Sequence, residues 1–245
     1  MAVSGGLDSR LLAHVLWAWE LPFLAVHMAG PHVPMRDSAR AATWLAAQQR
    51  PFDILEVDPL SRPEVLHNTR ERCYACKGSM FRALVRMARE RKLSVIVEGT
   101  HASDLHGFRP GLKALRELGV LSPWAEAGLT KPELRELARD LGLADPDQPS
   151  RPCLFTRLDY GLPVTTRLLT KLSGAEEAIE DMGLRDFRLR LHSDGRVVVQ
   201  ILESERGHAR GHEAAIRELV RAAFATVPKI LYSASVSGYF DNNHT

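Results

Sequence analysis

The feature that most constrains the fold is a run of six residues near the start of the chain, Ser4-Gly5-Gly6-Leu7-Asp8-Ser9. It lies between a short apolar stretch and a segment from Arg10 to Glu20 whose apolar residues recur with helical spacing. Small residues at such a strand-to-helix turn let backbone N–H groups approach a phosphate, and the helix dipole there favours negative charge. Residues 4–9, called the anion loop below, are therefore predicted to bind a phosphate group.

The carboxylate of Asp8 adds a second requirement to the anion loop. It would repel a bare phosphate, so its presence indicates a divalent cation such as Mg²⁺ between Asp8 and the ligand. The hydroxyls of Ser4 and Ser9 can donate further hydrogen bonds. The run lacks the Gly-Lys-Ser/Thr ending of a Walker loop. The alternative is a glycine-containing turn that binds no ligand.

Predicted strands and helices alternate along the first part of the chain. Strand-like and helical segments follow each other at residues 23–28, 36–49, 52–58, 77–91 and 93–97. This alternation predicts an α/β fold with a doubly wound parallel sheet. Ligands lie beyond the carboxyl ends of strands in such sheets, so Gly99 and Thr100 are predicted to contact the ligand, with an ordinary turn as the alternative. A capping box at Thr130 and Glu133 begins a later helix and is given a structural role only.

A proline-rich stretch at residues 144–152 cannot continue a helix and marks a boundary. Residues 1–150 are predicted to form the domain that carries the anion loop, and residues 151–232 a small C-terminal α+β domain, followed by a polar tail at residues 233–245. The elements predicted for the small domain are a helix at 165–182, a hairpin at 187–192 and 196–202, a helix at 205–225 and a strand at 230–232.

Only residues 1–3 precede the anion loop. The first strand of a doubly wound sheet normally runs about five residues. We therefore expect the native chain to start upstream, and an intact mass of the native protein that matches Met1 as its first residue would contradict this.

Composition argues against several classes of partner. The 32 basic and 30 acidic residues give a formal net charge of +2, which provides no global attraction to nucleic acid. No apolar run approaches the roughly 20 residues that span a bilayer. Since the sequence opens almost directly in the anion loop, we expect no signal peptide. We expect a cytoplasmic protein with neither a nucleic-acid nor a membrane partner.

The chain has three cysteines, and an odd number without a secretory signal argues against a disulfide framework. Cys73 and Cys76 are three residues apart at the start of a predicted helix, so they can face the same way, and nearby basic residues favour their thiolates. The alternatives are half of a zinc site and a pair of core cysteines. Cys153 lies in a proline-bracketed loop with Arg151 and Arg157 near it, which fits a nucleophile or sulfur carrier, or else an inert buried thiol.

The predicted hairpin offers a second anion site. Strict alternation along its first strand places Arg188, Arg190 and His192 on one face. Two guanidinium groups on one face can bind a phosphate through paired hydrogen bonds. The alternative is the solvated outer face of a hairpin.

Further segments extend these motifs, and they are, in chain order, Arg72-Cys73-Tyr74-Ala75-Cys76-Lys77, Glu98-Gly99-Thr100, Arg109-Pro110-Gly111, Ser122-Pro123, Glu126-Ala127-Gly128-Leu129-Thr130-Lys131, Arg151-Pro152-Cys153-Leu154 and Tyr160-Gly161. Together with the anion loop they resemble the LarE family of ATP-dependent sacrificial sulfur transferases. This family is a branch of the pyrophosphate-loop superfamily, whose fold is adenine nucleotide alpha hydrolase-like. The chain departs from the family at Glu98, where Asp is usual, at His101, where Asn is common, and in its short first strand.

The resemblance implies an activity. ATP and Mg²⁺ held by the anion loop, with Gly99 and Thr100 beside them, would adenylate a carboxylate of pyridinium-3,5-biscarboxylic acid mononucleotide. Sulfur would then displace AMP, and two rounds would yield the dithiocarboxylate precursor of the nickel-pincer nucleotide. Arginines like Arg188 and Arg190 occur in the family and would bind the substrate phosphate. The expected partners are a downstream nickel-insertion protein and further copies of the chain.

The resemblance also implies two possible sulfur sources. In members with three such cysteines, the thiolates equivalent to Cys73, Cys76 and Cys153 hold a [4Fe–4S] cluster with one open iron for a labile sulfide, and this reading is favoured here. The alternative is a Cys153 that gives up its own sulfur once. Rival functions are a pyrophosphate-loop tRNA thiolase, an amide-forming synthetase and a nucleotide-binding module without catalysis.

Overall fold

The computed structural model describes residues 1–106 and 109–241. The chain forms two compact units, the first comprising Met1–Arg62 with Glu71–Arg151 and the second comprising Pro63–Arg70 with the chain from Pro152 onward. None of the helices in the described parts of the chain is long and apolar enough to cross a membrane.

Ten α-helices and five strands make up the described chain. The helices are α1 (Leu7–Ala18), α2 (Met35–Ala47), α3 (Pro63–Leu66), α4 (Arg72–Glu90), α5 (Pro110–Glu117), α6 (Pro123–Glu126), α7 (Lys131–Asp140), α8 (Thr166–Glu180), α9 (Arg206–Arg210) and α10 (Glu213–Phe224). The strands are β1 (Ala25–Ala29), β2 (Phe52–Glu56), β3 (Phe187–Leu191), β4 (Val197–Leu202) and β5 (Lys229–Ser233). Short 3₁₀ turns lie at Pro59–Ser61, Ala102–Leu105, Leu154–Arg157 and Glu203–Glu205.

A parallel sheet forms the centre of the first unit. β1 and β2 pair in parallel along their full lengths. On its other side β1 is bridged in parallel to Ala2, whose N–H donates to the carbonyl of Val97 at 2.9 Å, and Val97 is bridged in parallel to Leu121. The order of segments across the sheet is therefore β2, β1, residues 1–3, residues 96–98 and residues 120–121.

Apolar side chains cover both faces of this sheet. Met1 and Val3 pack in a cluster with residues of α1, α2 and α7, whereas Ala2 packs in a second cluster with residues of α4 and α5. This is the alternation expected of a strand buried on both faces. The α/β class with a parallel sheet is confirmed. The named strands are short. The segment predicted as a strand at residues 93–97 is bridged into the sheet only at Val97, and Leu93 and Val95 before it are exposed.

The second unit holds a three-stranded sheet. β3 pairs with β4 antiparallel, as the predicted hairpin requires, and β5 adds to β4 in parallel. Residues 63–70 are bonded into this unit, since Val164 N–H donates to Leu66 O at 2.8 Å. The helix predicted at residues 205–225 is interrupted into a 3₁₀ turn, α9 and α10. Gly211 has low helix propensity and lies at the break, where His212 N–H bonds back to Ala209 O.

Candidate functional site

The anion loop is closed by its own serines. The Ser9 hydroxyl accepts from Ser4 N–H at 3.2 Å and donates to Gly6 O at 3.0 Å. Gly5 has a φ of +83°, and a Cβ there would lie 2.8 Å from the Cβ of Ala41, so both backbone and space require glycine. The sequence thus folds into a tight turn directly before α1.

The first N–H groups of α1 have no acceptor within the helix and lie next to this turn. Gly99 packs against the same end of α1, where a Cβ would lie 2.9 Å from Ser9 N and 3.1 Å from Asp8 C. The structure therefore brings Gly99 to the anion loop. Thr100, also predicted to contact the nucleotide, is bonded to buried Glu98, its N–H at 3.0 Å and its hydroxyl at 2.8 Å.

Asp8 lies beside two ionisable side chains, Lys131 and His101, that the sequence patterns did not place there. The Lys131 ammonium lies 2.5 Å from Asp8 Oδ1, and His101 Nε2 lies 4.0 Å from Asp8 Oδ2. His101 also lies 3.3 Å from Asp104. The predicted capping box is present, with Thr130 N–H donating to Glu133 at 2.7 Å, and it orients the first turn of α7, which carries Lys131. The only sequence signal for Lys131 was its place at the end of a segment that carries the family resemblance.

Two further residues fasten the chain after α7 to the anion loop. Buried Arg10 donates to Ala144 O at 3.0 Å and to Gln148 Oε1 at 2.8 Å, and Gln148 Nε2 donates to Gly5 O at 3.4 Å. Burial lowers the pKa of the Arg10 guanidinium, and Asp145 partly opposes this. The proline-rich stretch at residues 144–152 is therefore held against the loop by side chains that no motif indicated.

A histidine pair lies at the carboxyl end of β1. His27 is buried, with one ring nitrogen 2.9 Å from Val3 O and the other 3.1 Å from Ser38 Oγ. His32 is also buried, and this burial, reinforced by His27 and partly opposed by Asp58, lowers the pKa of His32 to about 4. The His27 ring thus links Val3, directly before the anion loop, to Ser38 in α2.

Cys73 and Cys76 lie in the first two turns of α4, because that helix begins at Arg72 rather than at residue 77 as predicted. Cys76 is buried with its Sγ 3.5 Å from the Met80 sulfur, while Cys73 is half-buried. Neither of these two cysteines is in a disulfide. Within the described ranges, no three His, Cys, Asp or Glu side chains are arranged as a group that could hold a metal ion.

Cys153 belongs to the second unit and is half-buried. It precedes the 3₁₀ turn Leu154–Arg157, and the two together are called the cysteine turn. Buried Arg157 donates to Pro152 O at 2.8 Å and to Cys153 O at 3.4 Å, while its other nitrogens bind both carboxylate oxygens of Glu176 at 2.9 to 3.2 Å. The backbone at Cys153 is thus fixed by a guanidinium that is itself fixed by an ion pair.

The hairpin arginines are not on a solvated face, so that alternative is wrong. Arg188 is 5% exposed and Arg190 is 2% exposed. Arg190 donates to Thr156 O at 2.8 Å, which joins the hairpin to the cysteine turn, and to Gln200 Oε1 from both Nε and Nη2. Burial, with Arg157 and Arg188 nearby, lowers the pKa of Arg190 to about 9.

The predicted site residues thus fall into two groups. The first unit gathers Asp8 and Gly99 at the anion loop and carries Cys73 and Cys76 on α4, while the second unit gathers the cysteine turn and Arg190. Gln200 was missed, although a polar residue inside the apolar run of β4 was a signal for a buried polar contact.

Comparison with known proteins gives distant relatives. No family model matches the chain. An uncharacterised protein of Synechocystis sp. is 29% identical over 194 residues, 78% of this chain and 71% of that protein, and one of Methanocaldococcus jannaschii is 27% identical over 198 residues, 81% of this chain and 75% of that protein. The pyridinium-3,5-bisthiocarboxylic acid mononucleotide synthase of Lactiplantibacillus plantarum is 29% identical over 138 residues, 56% of this chain and 50% of that protein. The match to the synthase thus spans half of that protein.

Proposed function

We propose that this chain is an ATP-dependent sulfur transferase of the pyrophosphate-loop type. It adenylates the carboxylates of pyridinium-3,5-biscarboxylic acid mononucleotide and converts them to thiocarboxylates for nickel-pincer nucleotide synthesis. The observation that carries the proposal is the anion loop, a serine-closed turn at a helix N-terminus that includes Asp8 and has Gly99 packed against it. The similarity to the named synthase supports the choice of substrate.

The first unit would perform the adenylation. N–H groups at the start of α1 and the hydroxyl of Ser4 bind the phosphates of ATP, and Mg²⁺ held through Asp8 would neutralise their charge. A substrate carboxylate oxygen attacks the α-phosphorus, the bond to the β-phosphate oxygen breaks, and pyrophosphate leaves. Lys131, 2.5 Å from Asp8, supplies a positive charge that stabilises the departing pyrophosphate.

The second unit would hold the substrate and the sulfur donor. Arg188 and Arg190 bind the phosphate of the mononucleotide, and Arg157 fixes the backbone of Cys153. Sulfur attacks the acyl carbon, the C–O bond to AMP breaks, and AMP leaves with the bonding electrons. A thiocarboxylate remains once the sulfur is released from its carrier.

The sulfur source has two forms. Cys73, Cys76 and Cys153 are soft thiol ligands whose number fits a [4Fe–4S] cluster with one open iron, and such a cluster would supply a labile sulfide. In the alternative, the Cys153 thiolate forms a thioester with the acyl group. Loss of its Cα proton then breaks the Cβ–Sγ bond, which leaves dehydroalanine on the protein and sulfur on the substrate. The proposed partners are a downstream nickel-insertion protein and further copies of this chain.

The test of the activity is pyrophosphate release from ATP and the mononucleotide, with the thiocarboxylate product identified by mass spectrometry. Asp8→Asn is expected to lower pyrophosphate release about a hundredfold, because it removes the carboxylate that places Mg²⁺. Gly174→Ala, whose added Cβ meets no atom within 4 Å, serves as the matched control. Absence of substrate-dependent pyrophosphate release from the wild type would refute the proposal.

The sulfur source is tested by anaerobic purification with iron, sulfide and absorption measurements on wild type and Cys73→Ala. About four irons per chain, lost in the variant, would support the cluster. An iron-free protein that makes one thiocarboxylate per chain, with dehydroalanine at residue 153, would support the sacrificial alternative.

A further inference from the structure

The guanidinium of Arg190 is buried among uncharged partners. Gln200 Oε1 accepts from its Nε at 3.0 Å and from its Nη2 at 2.9 Å, the position in which a carboxylate would form a paired ion contact. The other acceptors are the carbonyl oxygens of Thr156 and Val236. The ring of Tyr239 lies 5.1 Å from the guanidinium carbon, and burial raises the pKa of that phenol, which keeps it neutral.

The carboxylate that attracts Arg190 is already bound by another arginine. Glu176 attracts Arg190, but its carboxylate is bound by Arg157 through three contacts. Burial lowers the pKa of Arg190, and repulsion by Arg157 and Arg188 lowers it further. A buried charge without an opposite charge beside it is costly, and an anion placed there would relieve that cost.

We propose that Gln200 determines whether this site accepts an anion, because its neutral amide occupies the place of a carboxylate and leaves the charge of Arg190 available to a phosphate monoester. The inference rests on the proposed function for the source of that phosphate, the mononucleotide substrate. Gln200 is a specificity-determining residue that acts through Arg190 and not a catalytic one.

The amide nitrogen of Gln200 is bonded to the part of the chain that covers the site. Its Nε2 donates to Ser233 Oγ at 3.0 Å and to Ser235 O at 2.8 Å, at the start of residues 235–240, called the covering segment. This segment places the Val236 carbonyl on Arg190 and the Tyr239 hydroxyl 3.1 Å from His192. Because Arg190 is 2% exposed, a phosphate reaches it only by displacing a group that now contacts it, and the Val236 carbonyl of the covering segment is one such group.

The experiment compares three variants by isothermal titration with inorganic phosphate. Gln200→Glu supplies a carboxylate to Arg190 and is expected to weaken phosphate binding at least about tenfold. Gln200→Met removes the amide but adds no charge, and it is expected to bind phosphate within about threefold of wild type. Arg190→Gln is expected to lose binding at this site. A non-hydrolysable ATP analogue with Mg²⁺ is present throughout to occupy the anion loop.

Three results would overturn the inference. The first is a Gln200→Glu variant that binds phosphate with wild-type affinity. The second is an equal loss of phosphate affinity in Gln200→Met and Gln200→Glu, which would mean a merely structural role for Gln200. The third is a wild-type protein that binds no phosphate. Failure of the proposed function is separate, because it is read from pyrophosphate and thiocarboxylate. If phosphate binding follows the expected pattern without any ATP chemistry, the role of Gln200 stands and the proposed function falls.

Discussion

At the scale of single residues, His32 makes the first unit sensitive to acid. Its pKa of about 4 in the folded protein lies below the ordinary value of 6.5, so between these values the unfolded chain binds a proton that the folded chain does not. This stability is present above pH 6.5 and is lost as the pH falls through about 4, a loss of about 3 kcal/mol in all.

We predict that His32→Gln reduces the dependence of the free energy of unfolding on pH below pH 6.5. Urea unfolding of wild type between pH 7 and pH 4.5 should show a fall in stability that the variant largely lacks. His67→Gln, which replaces an exposed histidine, controls for the loss of an imidazole. Equal slopes for wild type and His32→Gln would contradict the effect.

Gly99 is the second residue whose surroundings make a prediction. A methyl group there would meet backbone atoms of Ser9 and Asp8, which cannot rotate away. Gly99→Ala is therefore expected to shift the start of α1, to destabilise the protein by about 1–3 kcal/mol and to weaken ATP binding by at least about tenfold. Titration with an ATP analogue measures the second effect, and Gly174→Ala is again the control. Unchanged affinity would show that the loop tolerates the displacement.

At the scale of elements, α7 connects a helix cap to the anion loop. Thr130 and Glu133 form the capping box. Lys131, which directly follows Thr130, forms an ion pair with Asp8. Thr130→Ala is expected to lower the free energy of unfolding by about 1 kcal/mol and to weaken ATP binding, because the first turn loses its fixed geometry. Thr130→Ser keeps the hydroxyl and should behave as wild type. An Ala variant with full stability would contradict the role of the cap.

Sequence periodicity predicted those elements whose structure follows from the spacing of apolar residues within one segment. The helical spacing placed α1 and α2, and alternation placed the hairpin of β3 and β4. Periodicity did not predict contacts between segments that lie far apart in the sequence. The guanidinium of Arg190 is covered by the cysteine turn and the covering segment, neither of which is adjacent to it in sequence. The contact between Arg10 and Gln148 joins residues 138 apart, for which no local pattern exists.

At the scale of the whole molecule, charge balance predicts indifference to nucleic acid. Binding of RNA requires a set of phosphate contacts by Lys and Arg, and the formal net charge is only +2. Bulk tRNA is expected to leave pyrophosphate release unchanged within about twofold at low salt, where such binding is strongest. Stimulation of ATP turnover by tRNA, lost as salt is raised, would favour a tRNA thiolase instead.

The division of the chain between the two units has a consequence for synthesis on the ribosome. Residues 63–70 belong to the second unit, but the rest of that unit begins only at Pro152, about 80 residues later. At a synthesis rate of 5–20 residues per second, roughly 4–16 s pass between the synthesis of residues 63–70 and that of the rest of the second unit. The first unit can complete its sheet during this interval, with residues 63–70 as an insertion between Arg62 and Glu71. The second unit therefore folds last, and no single cut in the gene separates the two.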